Sequence, residues 1–363
     1  MTLKKTGKFY KRILMAAAVL LALCMAGCSP TVGSSPLPQR EVGNESGTDL
    51  RVHFIDVGQG DSTLVEKDGH FMLIDAGERD QGGAVASYLE KQGVKTLDYV
   101  IGTHPHSDHI GGLEAVIRKF DVQKVLLPEK EHTTKVYERL LDAIADKNLK
   151  ITLPKPGDNY TLGDASFQII APNRDYGDDL NNWSIGLRLV YGNNSFVLCG
   201  DAEKEAEKDM VANGFPLKAD VLKLSHHGST TSSSEGFMDQ VDPEYGVISC
   251  GKNNDYGHPH KEILDMLKKR NIKVLRTDQL GTIVAVSDGS KVTFPGIAEG
   301  TGEDRTQSTA ADQDYVINTN TKKFHRPDCK SAASMKKENR KAYKGSREEL
   351  IQMGYEPCQS CNP

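Results

Sequence analysis

The sequence predicts an α/β protein whose sheet layers are covered by helices, followed by a small C-terminal unit with a metal-binding pattern of its own. Three observations carry this. Short β-branched and aromatic runs alternate with amphipathic helical stretches from Leu50 to about Pro295. The runs occur both as hairpins and as strand–helix–strand units, a mixture that favours packed layers over one doubly wound sheet. His and Cys then gather again in residues 314–363, beyond a stretch rich in Gly, Thr, Asp and Glu.

Taken in order, strands are expected over residues 52–57 and 71–75, flanking a turn, then a helix over 84–92 and a strand over 99–102. Further strands fall at 125–127, 167–170, 185–190, 196–198 and 221–224, with helices at 134–147, 203–213 and 261–269. The domain order read from this is a leader (1–28), a tether (29–49), a main domain (50–295), a linker (296–313) and the C-terminal unit (314–363). There is no internal repeat.

The leader begins with Lys4, Lys5, Lys8, Lys11 and Arg12 and continues as an unbroken apolar run from Ile13 to Ala26. A membrane span needs about 20 such residues, so the run has the length and placing of a signal peptide. It ends Met25-Ala26-Gly27-Cys28, then Ser29-Pro30. This resembles the lipobox of bacterial lipoproteins, with Met25 where Leu is usual. The resemblance implies lipidation at Cys28 and anchoring on the outer side of the cell membrane; an ordinary signal peptide cut elsewhere is the alternative. Residues 29–49, rich in Ser, Pro and Gly, read as a flexible tether. Losing five cations and no acids with the leader takes the formal charge from -5 to about -10. Such a surface is not uniformly nucleic-acid-binding. Of the 7 Cys, only Cys199 and Cys250 fall in the main domain, which excludes a dense disulfide framework there.

The densest chemistry is Thr103-His104-Pro105-His106-Ser107-Asp108-His109, directly after the 99–102 strand. Imidazoles and a carboxylate suit Zn or Mn. One loop can aim His104 and His106 at one ion and Asp108 and His109 at a second. Gly111 and Gly112 are expected to let the backbone turn into the following helix.

His-x-His-x-Asp-His after a strand resembles the metallo-β-lactamase superfamily. Further segments narrow the likeness: Phe54-Ile55-Asp56-Val57-Gly58-Gln59-Gly60-Asp61-Ser62, Leu73-Ile74-Asp75-Ala76-Gly77, Gly200-Asp201, Ser225-His226-His227-Gly228-Ser229 and Tyr256-Gly257-His258-Pro259-His260. Together, over residues 50–295, they resemble the C-terminal hydrolase domain of ComEC-type competence DNA-uptake proteins. The resemblance implies an αββα metallo-β-lactamase sandwich with two divalent ions at one sheet edge. Asp201 matches the carboxylate bridging the ions, and His258 the late His on the second. His226 and His227 sit where one imidazole faces the metals, as ligand or general acid; which of them does so stays open. Many relatives add a further His where this chain reads Leu180-Asn181-Asn182-Trp183-Ser184. The competence-type group is similar here, with Asn and Ser, and a first site short of one imidazole should be weaker and more open to Mn.

Mechanism follows from the ions. Two cations about 3.5–4 Å apart need a shared anion, and a water bridging them falls in pKa from 15.7 toward roughly 7. The resulting hydroxide would attack phosphorus or a carbonyl carbon, with Asp108 among the metal-holding groups and His226 or His227 protonating the leaving oxygen. Asp56, Asp61 and Asp75 read either as supports for the ligand histidines, with Asn181, or as hydrogen-bonding residues of turns.

At the C-terminus, His325-x3-Cys329 and Cys358-x2-Cys361 present four ligands in two close pairs, the pattern of a structural Zn²⁺ site. A disulfide between two of the three cysteines is the alternative. The run 324–327 and the tail 354–358 resemble the Ada-type zinc-binding domain of DNA alkylation repair. That family carries its methyl-accepting Cys at the position of His325, so only the scaffold is implied. Residues 314–363 hold ten Lys/Arg against six Asp/Glu. Lys336, Lys337, Arg340, Lys341 and Lys344 form either a phosphate-gripping patch or a solvated basic face.

The functional expectation is an extracytoplasmic, metal-dependent phosphodiesterase, a nuclease on DNA. A hydrolase of a small or wall-linked phosphoester is the second enzyme reading. A surface DNA-binding lipoprotein with an idle site is the reading from another class. The sequence leaves the oligomeric state open.

Overall fold

The computed structural model describes residues 49–297, 313–327, 329–345, Leu350, 355–358 and Cys361. The leader with Cys28, nearly all of the tether and most of the linker lie outside the described residues. Among those described, no helix is long and apolar enough to cross a membrane.

The main domain opens with β1 (Leu50–Phe54), β2 (Thr63–Lys67) and β3 (His70–Ile74). There follow α1 (Gly82–Lys91), β4 (Thr96–Ile101), α2 (Ser107–Ile110), α3 (Leu113–Lys119) and β5 (Asp121–Leu126). Next come α4 (Lys135–Asp146), β6 (Ile151–Thr152), β7 (Asn159–Leu162), β8 (Ala165–Ala171), β9 (Gly186–Tyr191) and β10 (Asn194–Leu198). The second helical layer is α5 (Lys204–Asn213), α6 (Glu235–Val241) and α7 (Lys261–Lys269), alternating with β11 (Val221–Lys223), β12 (Tyr245–Ile248) and β13 (Lys273–Arg276). A short α8 (Thr277–Leu280) leads into β14 (Ile283–Ser287) and β15 (Val292–Thr293).

Eight strands in the order β15-β14-β1-β2-β3-β4-β5-β6 make one sheet, and seven in the order β13-β12-β11-β10-β9-β8-β7 make the other. Alternate side chains on a strand point to opposite faces, and this sorts the core into three layers. Leu73 and Val100 meet Leu89, Leu113 and Leu140 of α1, α3 and α4 on the outer face of the first sheet. Met72, Ile74, Phe167, Phe196 and Leu198 fill the space between the sheets. Val197 and Leu222 meet Met210, Phe237 and Leu267 of α5, α6 and α7 on the outer face of the second. Burying each such side chain contributes roughly 1.5–3 kcal/mol. The architecture is therefore the expected αββα sandwich.

Local chemistry sets the boundaries. Thr134 lies outside α4, its Oγ1 accepting from Tyr137 N at 3.4 Å, so the helix starts one residue later than its pattern suggests. Residues 63–67, 151–152, 159–162, 245–248, 273–276, 283–287 and 292–293 form strands that were not expected. Those at 63–67 and 245–248 are short and mostly buried on both faces, so they lack the polar alternation that marks a half-exposed strand.

The C-terminal unit holds β16 (Gln313–Asn318), β17 (Lys323–His325), α9 (Lys330–Ala333), β18 (Arg340–Gly345) and β19 (Glu356–Pro357), with strand order β18-β16-β17-β19. Tyr315, Ile317, Phe324 and Tyr355 pack together, while Val316 packs with Cys329, Ala332 and Cys358. At the two ends of the segment read as linker, Ile297 packs on the main core and Gln313 begins β16.

Candidate metal centre

The centre is built on loops that leave the carboxyl ends of β1, β3, β4, β10 and β11, where ligand-bearing loops of α/β sheets gather. After β3, Asp75 takes a left-handed backbone (φ 59) and turns its carboxylate under the β4 loop. It accepts from Thr103 N at 2.8 Å and from Thr103 Oγ1 at 2.7 Å, and pairs with His109 Nδ1 at 2.9 Å. A carboxylate on Nδ1 leaves Nε2 of His109 facing the centre.

The β4 loop carries His104 and His106, and the short α2 carries Asp108 and His109. His104 is fully buried, its Nδ1 between Thr103 Oγ1 (3.1 Å) and Ser184 Oγ (3.2 Å). Its Nε2 faces His106 Nδ1 at 2.9 Å and lies 4.0 Å from Asp201 Oδ2. Asp201 follows β10, its backbone N–H donating to Ser184 Oγ at 3.0 Å. Its Oδ2 is 3.1 Å from His109 Nε2 and 3.4 Å from His227 Nε2. His227 Nε2 is also 3.2 Å from Asp108 Oδ2, while its Nδ1 meets Ser249 O at 3.0 Å. Ligand atoms of Asp108, His109, Asp201 and His227 all lie within 4.8 Å of one another.

The two adjacent histidines part company here. His226 and His227 both adopt left-handed backbone (φ 51 and 54), which swings successive side chains to different sides. His227 is buried against Asp108 and Asp201. His226 sits at the rim, its Nε2 3.9 Å from Asp201 Oδ2 and its Nδ1 between Thr231 Oγ1 (2.9 Å) and Glu203 Oε1 (3.2 Å). Two such residues cost about 1–3 kcal/mol each in backbone strain. His258 closes the same side, its ring centroid 5.6 Å from that of His226 and 6.1 Å from that of His227. Asn181, in place of an imidazole, donates from Nδ2 to Glu203 Oε1 at 3.1 Å.

The two readings left open for Asp56 and Asp61 are resolved differently. Asp56 does not reach the centre: it is exposed, and its Oδ1 accepts from Gly58 N at 3.1 Å within its own turn. Asp61, five residues on, points inward instead, because Gly60 (φ 138) lets the loop press against the backbone of Asp108. A Cβ on Gly60 would stand 2.3 Å from Asp108 O. Gly111 and Gly112 form the turn that joins α2 to α3, as expected. Both have ordinary right-handed helical backbone, and what they supply is room: a Cβ would stand 2.3 Å from Ser107 O and 2.2 Å from Ala76 O respectively.

Lys223 escaped the sequence reading altogether. It ends β11, is only 2% exposed, and sends Nζ to Asp61 Oδ2 at 2.6 Å and to Leu224 O at 3.1 Å. Asp61 Oδ1 in turn lies 3.3 Å from His227 Nδ1. A Lys in the run Val221-Leu222-Lys223-Leu224 carries no mark of burial, so nothing short of the folded Asp61 loop reveals it. Thr103, Ser184 and Glu203 were likewise missed.

The electrostatics suit cations. Burial alone would raise Asp201 and Asp108, but His109 first, and His227 with it, hold both carboxyls below the usual range. Burial alone would lower His109 and His227, yet Asp201 above all raises both well above the ordinary imidazole value. His104 is held well below it by burial and by His109, and His258 is pushed down to about 4 by burial and by His227 and His226. The carboxylates thus hold positive charge at the centre, as they would hold a divalent ion. Asp201 Oδ1 and His258 Nδ1 are buried without a hydrogen-bond partner. Such atoms cost about 1–3 kcal/mol each unless something satisfies them, so the donor set fits divalent metal.

In the C-terminal unit His325, Cys329, Cys358 and Cys361 also bring ligand atoms within 4.8 Å of one another. Cys329 Sγ lies 3.5 Å from His325 Nδ1, and that contact lowers the thiol to about 6. The three cysteines are free, so no disulfide joins them. A soft, closed N/S set of this kind is compatible with a small zinc module.

An αββα sandwich with clustered imidazoles and carboxylates at its strand ends defines a metal-dependent hydrolase. The sequence model of the Metallo-beta-lactamase superfamily matches residues 55–252, and the chain belongs to that superfamily. It is 37% identical to ComE operon protein 3 of Bacillus subtilis (strain 168) over 252 residues, covering 64% of this chain and 32% of that protein. It is 33% identical to competence protein ComA of Neisseria gonorrhoeae over 231 residues, covering 63% of this chain and 31% of that protein. The chain thus spans about a third of the length of these relatives. Among solved structures, the metallo-beta-lactamase fold protein YhfI from Bacillus subtilis aligns with a TM-score of 0.43 at 16% identity, over 66% of this chain and 100% of that one.

Proposed function

We propose that the protein is a metal-dependent phosphodiesterase acting on DNA outside the cytoplasm, held at the membrane through a lipid on Cys28. The observation that carries the enzymatic part is the meeting of Asp108, His109, Asp201 and His227 within 4.8 Å at the ends of three strands. His104, His106 and Asp201 would hold one ion; Asp108, His109, Asp201, His227 and His258 would hold the other. A pair of divalent ions supplies a nucleophile at neutral pH and stabilises charge on a phosphoryl group.

The chain's own residues do the rest. Asp75 and Ser249 O fix the tautomers of His109 and His227, so that each Nε2 faces inward. His226 presents Nε2 at the rim, with Nδ1 held by Glu203 and Thr231, and from there gives a proton to the leaving oxygen. DNA as substrate is supported by the likeness to a protein described as a competence protein. It is supported also by the exposed cations Lys336, Lys337, Arg340, Lys341 and Lys344 at or beside the sheet-edge strand β18, which suit phosphates.

The test uses the mature chain with Mn²⁺ or Zn²⁺, plasmid DNA and a small phosphodiester. DNA cleavage is expected, falling about 1,000-fold in Asp201→Ala, or roughly 4 kcal/mol of barrier. Turnover of the small diester without DNA cleavage would assign the site to a small or wall-linked phosphoester. Intact DNA retained by fully metal-loaded protein would make it a receptor.

A further inference from the structure

Three large apolar or aromatic side chains are notably exposed among the described residues, and Tyr256, at 69%, is the most exposed of them. Single exposed aromatics are common and need no explanation; the placing of this one does. From the buried centre outward the rings form a row. His109 and His227 have centroids 5.4 Å apart with 35° between planes, His227 and His258 6.1 Å with 34°, and His258 and Tyr256 5.6 Å with 20°. Exposure rises along the row, from 0% at His109 and 1% at His227 through half-buried His258 to Tyr256. Tyr256 is therefore the solvent-side end of the wall that His258 gives to the metal centre.

The loop that carries it is braced. Asn254 Nδ2 donates to Gly251 O at 2.9 Å and to His258 O at 2.6 Å. Its Oδ1 accepts from Tyr256 N at 3.2 Å and from His258 N at 3.0 Å. The base of the loop is pinned where Gly251 N donates to Gln59 Oε1 at 3.0 Å. A side chain whose task was only to pack on His258 would be buried there. The backbone that carries this ring is held in place, and the ring is left open.

We infer that Tyr256 is a stacking platform for a nucleobase next to the scissile phosphate, so that the centre takes base-bearing, unpaired nucleic acid. This rests on the phosphodiesterase reading and adds the part of the substrate that is recognised. A base has a flat face to offer only when it is unpaired or at an end, and stacking on an aromatic is tolerant of sequence because every base has such a face.

The experiment measures binding of metal-loaded full chain to a labelled single-stranded phosphorothioate oligonucleotide and to an abasic oligonucleotide of equal length. Tyr256→Ala is expected to lose about tenfold in affinity on the base-bearing strand and less than about twofold on the abasic one, with Tyr256→Phe and Tyr256→Trp close to wild type. Metal content, measured in parallel, stays unchanged. Equal loss on both strands, or loss of metal, would show that Tyr256 only supports His258 and would overturn the inference. So would no loss at all. Cleavage is scored separately on ordinary DNA. Wild type that binds with this pattern but never cleaves refutes the phosphodiesterase reading and leaves the platform standing; cleavage at full efficiency by Tyr256→Ala does the reverse.

Discussion

The main centre and the C-terminal cluster each gather four ligand-capable side chains within 4.8 Å, by opposite routes. At the main centre, Asp108 and His227 are 119 positions apart and meet because two sheets deliver their loops to one edge. At the C-terminus His325 and Cys329 are 4 positions apart, and among the described residues the cores around them amount to a few side chains. In the first case the fold makes the site; in the second a bound metal is expected to help make the fold. The ligands follow suit. Nitrogen and oxygen, braced by Asp61, Asp75 and Ser184, leave room for chemistry, whereas sulfur and one imidazole form a closed set compatible with a zinc that would staple a small unit.

The sharpest way to break this contrast is to remove metal. Chelation, or Cys358→Ser, is expected to unfold the C-terminal unit, since structural zinc contributes about 10–16 kcal/mol of folding energy. Hydrogen exchange would then lose protection over β16 to β18 while β3, β4 and β10 stay protected. A C-terminal sheet that keeps its protection in chelator would sink the idea. A second effect concerns His53, the one buried imidazole among the described residues outside both clusters. Burial first, then Arg51, pushes it down to about 4. The unfolded chain binds its proton near pH 6.5, so His53 supports the fold fully above that pH. The support drains away as pH falls to about 4, a change of roughly 3 kcal/mol. Between pH 7 and 4 the stability difference between wild type and His53→Gln, measured by urea unfolding, should shift by this amount in the variant's favour; parallel curves would refute it. Smaller still is Asp75→Asn, which removes the carboxylate from His109 Nδ1. Metal affinity of the main centre should drop about 10- to 100-fold, read by titration, with the C-terminal ion unaffected. Unchanged affinity would mean that Asp75 serves the backbone alone.

The parts of the centre legible in the sequence were those whose residue types are expensive to place without a purpose. A loop with three His and an Asp, Gly200-Asp201 after an apolar strand and a doubled His announce themselves chemically. What stayed hidden depends on direction rather than type. Asp56 and Asp61 sit in one run, and only the path of the backbone through Gly60 sends one to solvent and the other to Lys223. His226 and His227 are indistinguishable as letters and are separated by what each meets in the fold, His227 buried on Asp108 and Asp201 and His226 held at the rim by Glu203 and Thr231. The sandwich was readable for a similar reason: half-exposed strands alternate visibly, whereas β2 and β12, covered on both sides, do not.

The paired left-handed histidines have a consequence for how such a chain drifts over generations. Glycine at position 226 or 227 would relax the backbone and improve folding while silencing the imidazole. Selection on stability alone therefore pulls against the doubled His at every round of mutation. Among descendants of this chain, loss of that doublet to glycine would be an early sign that the sandwich survives after its chemistry has lapsed.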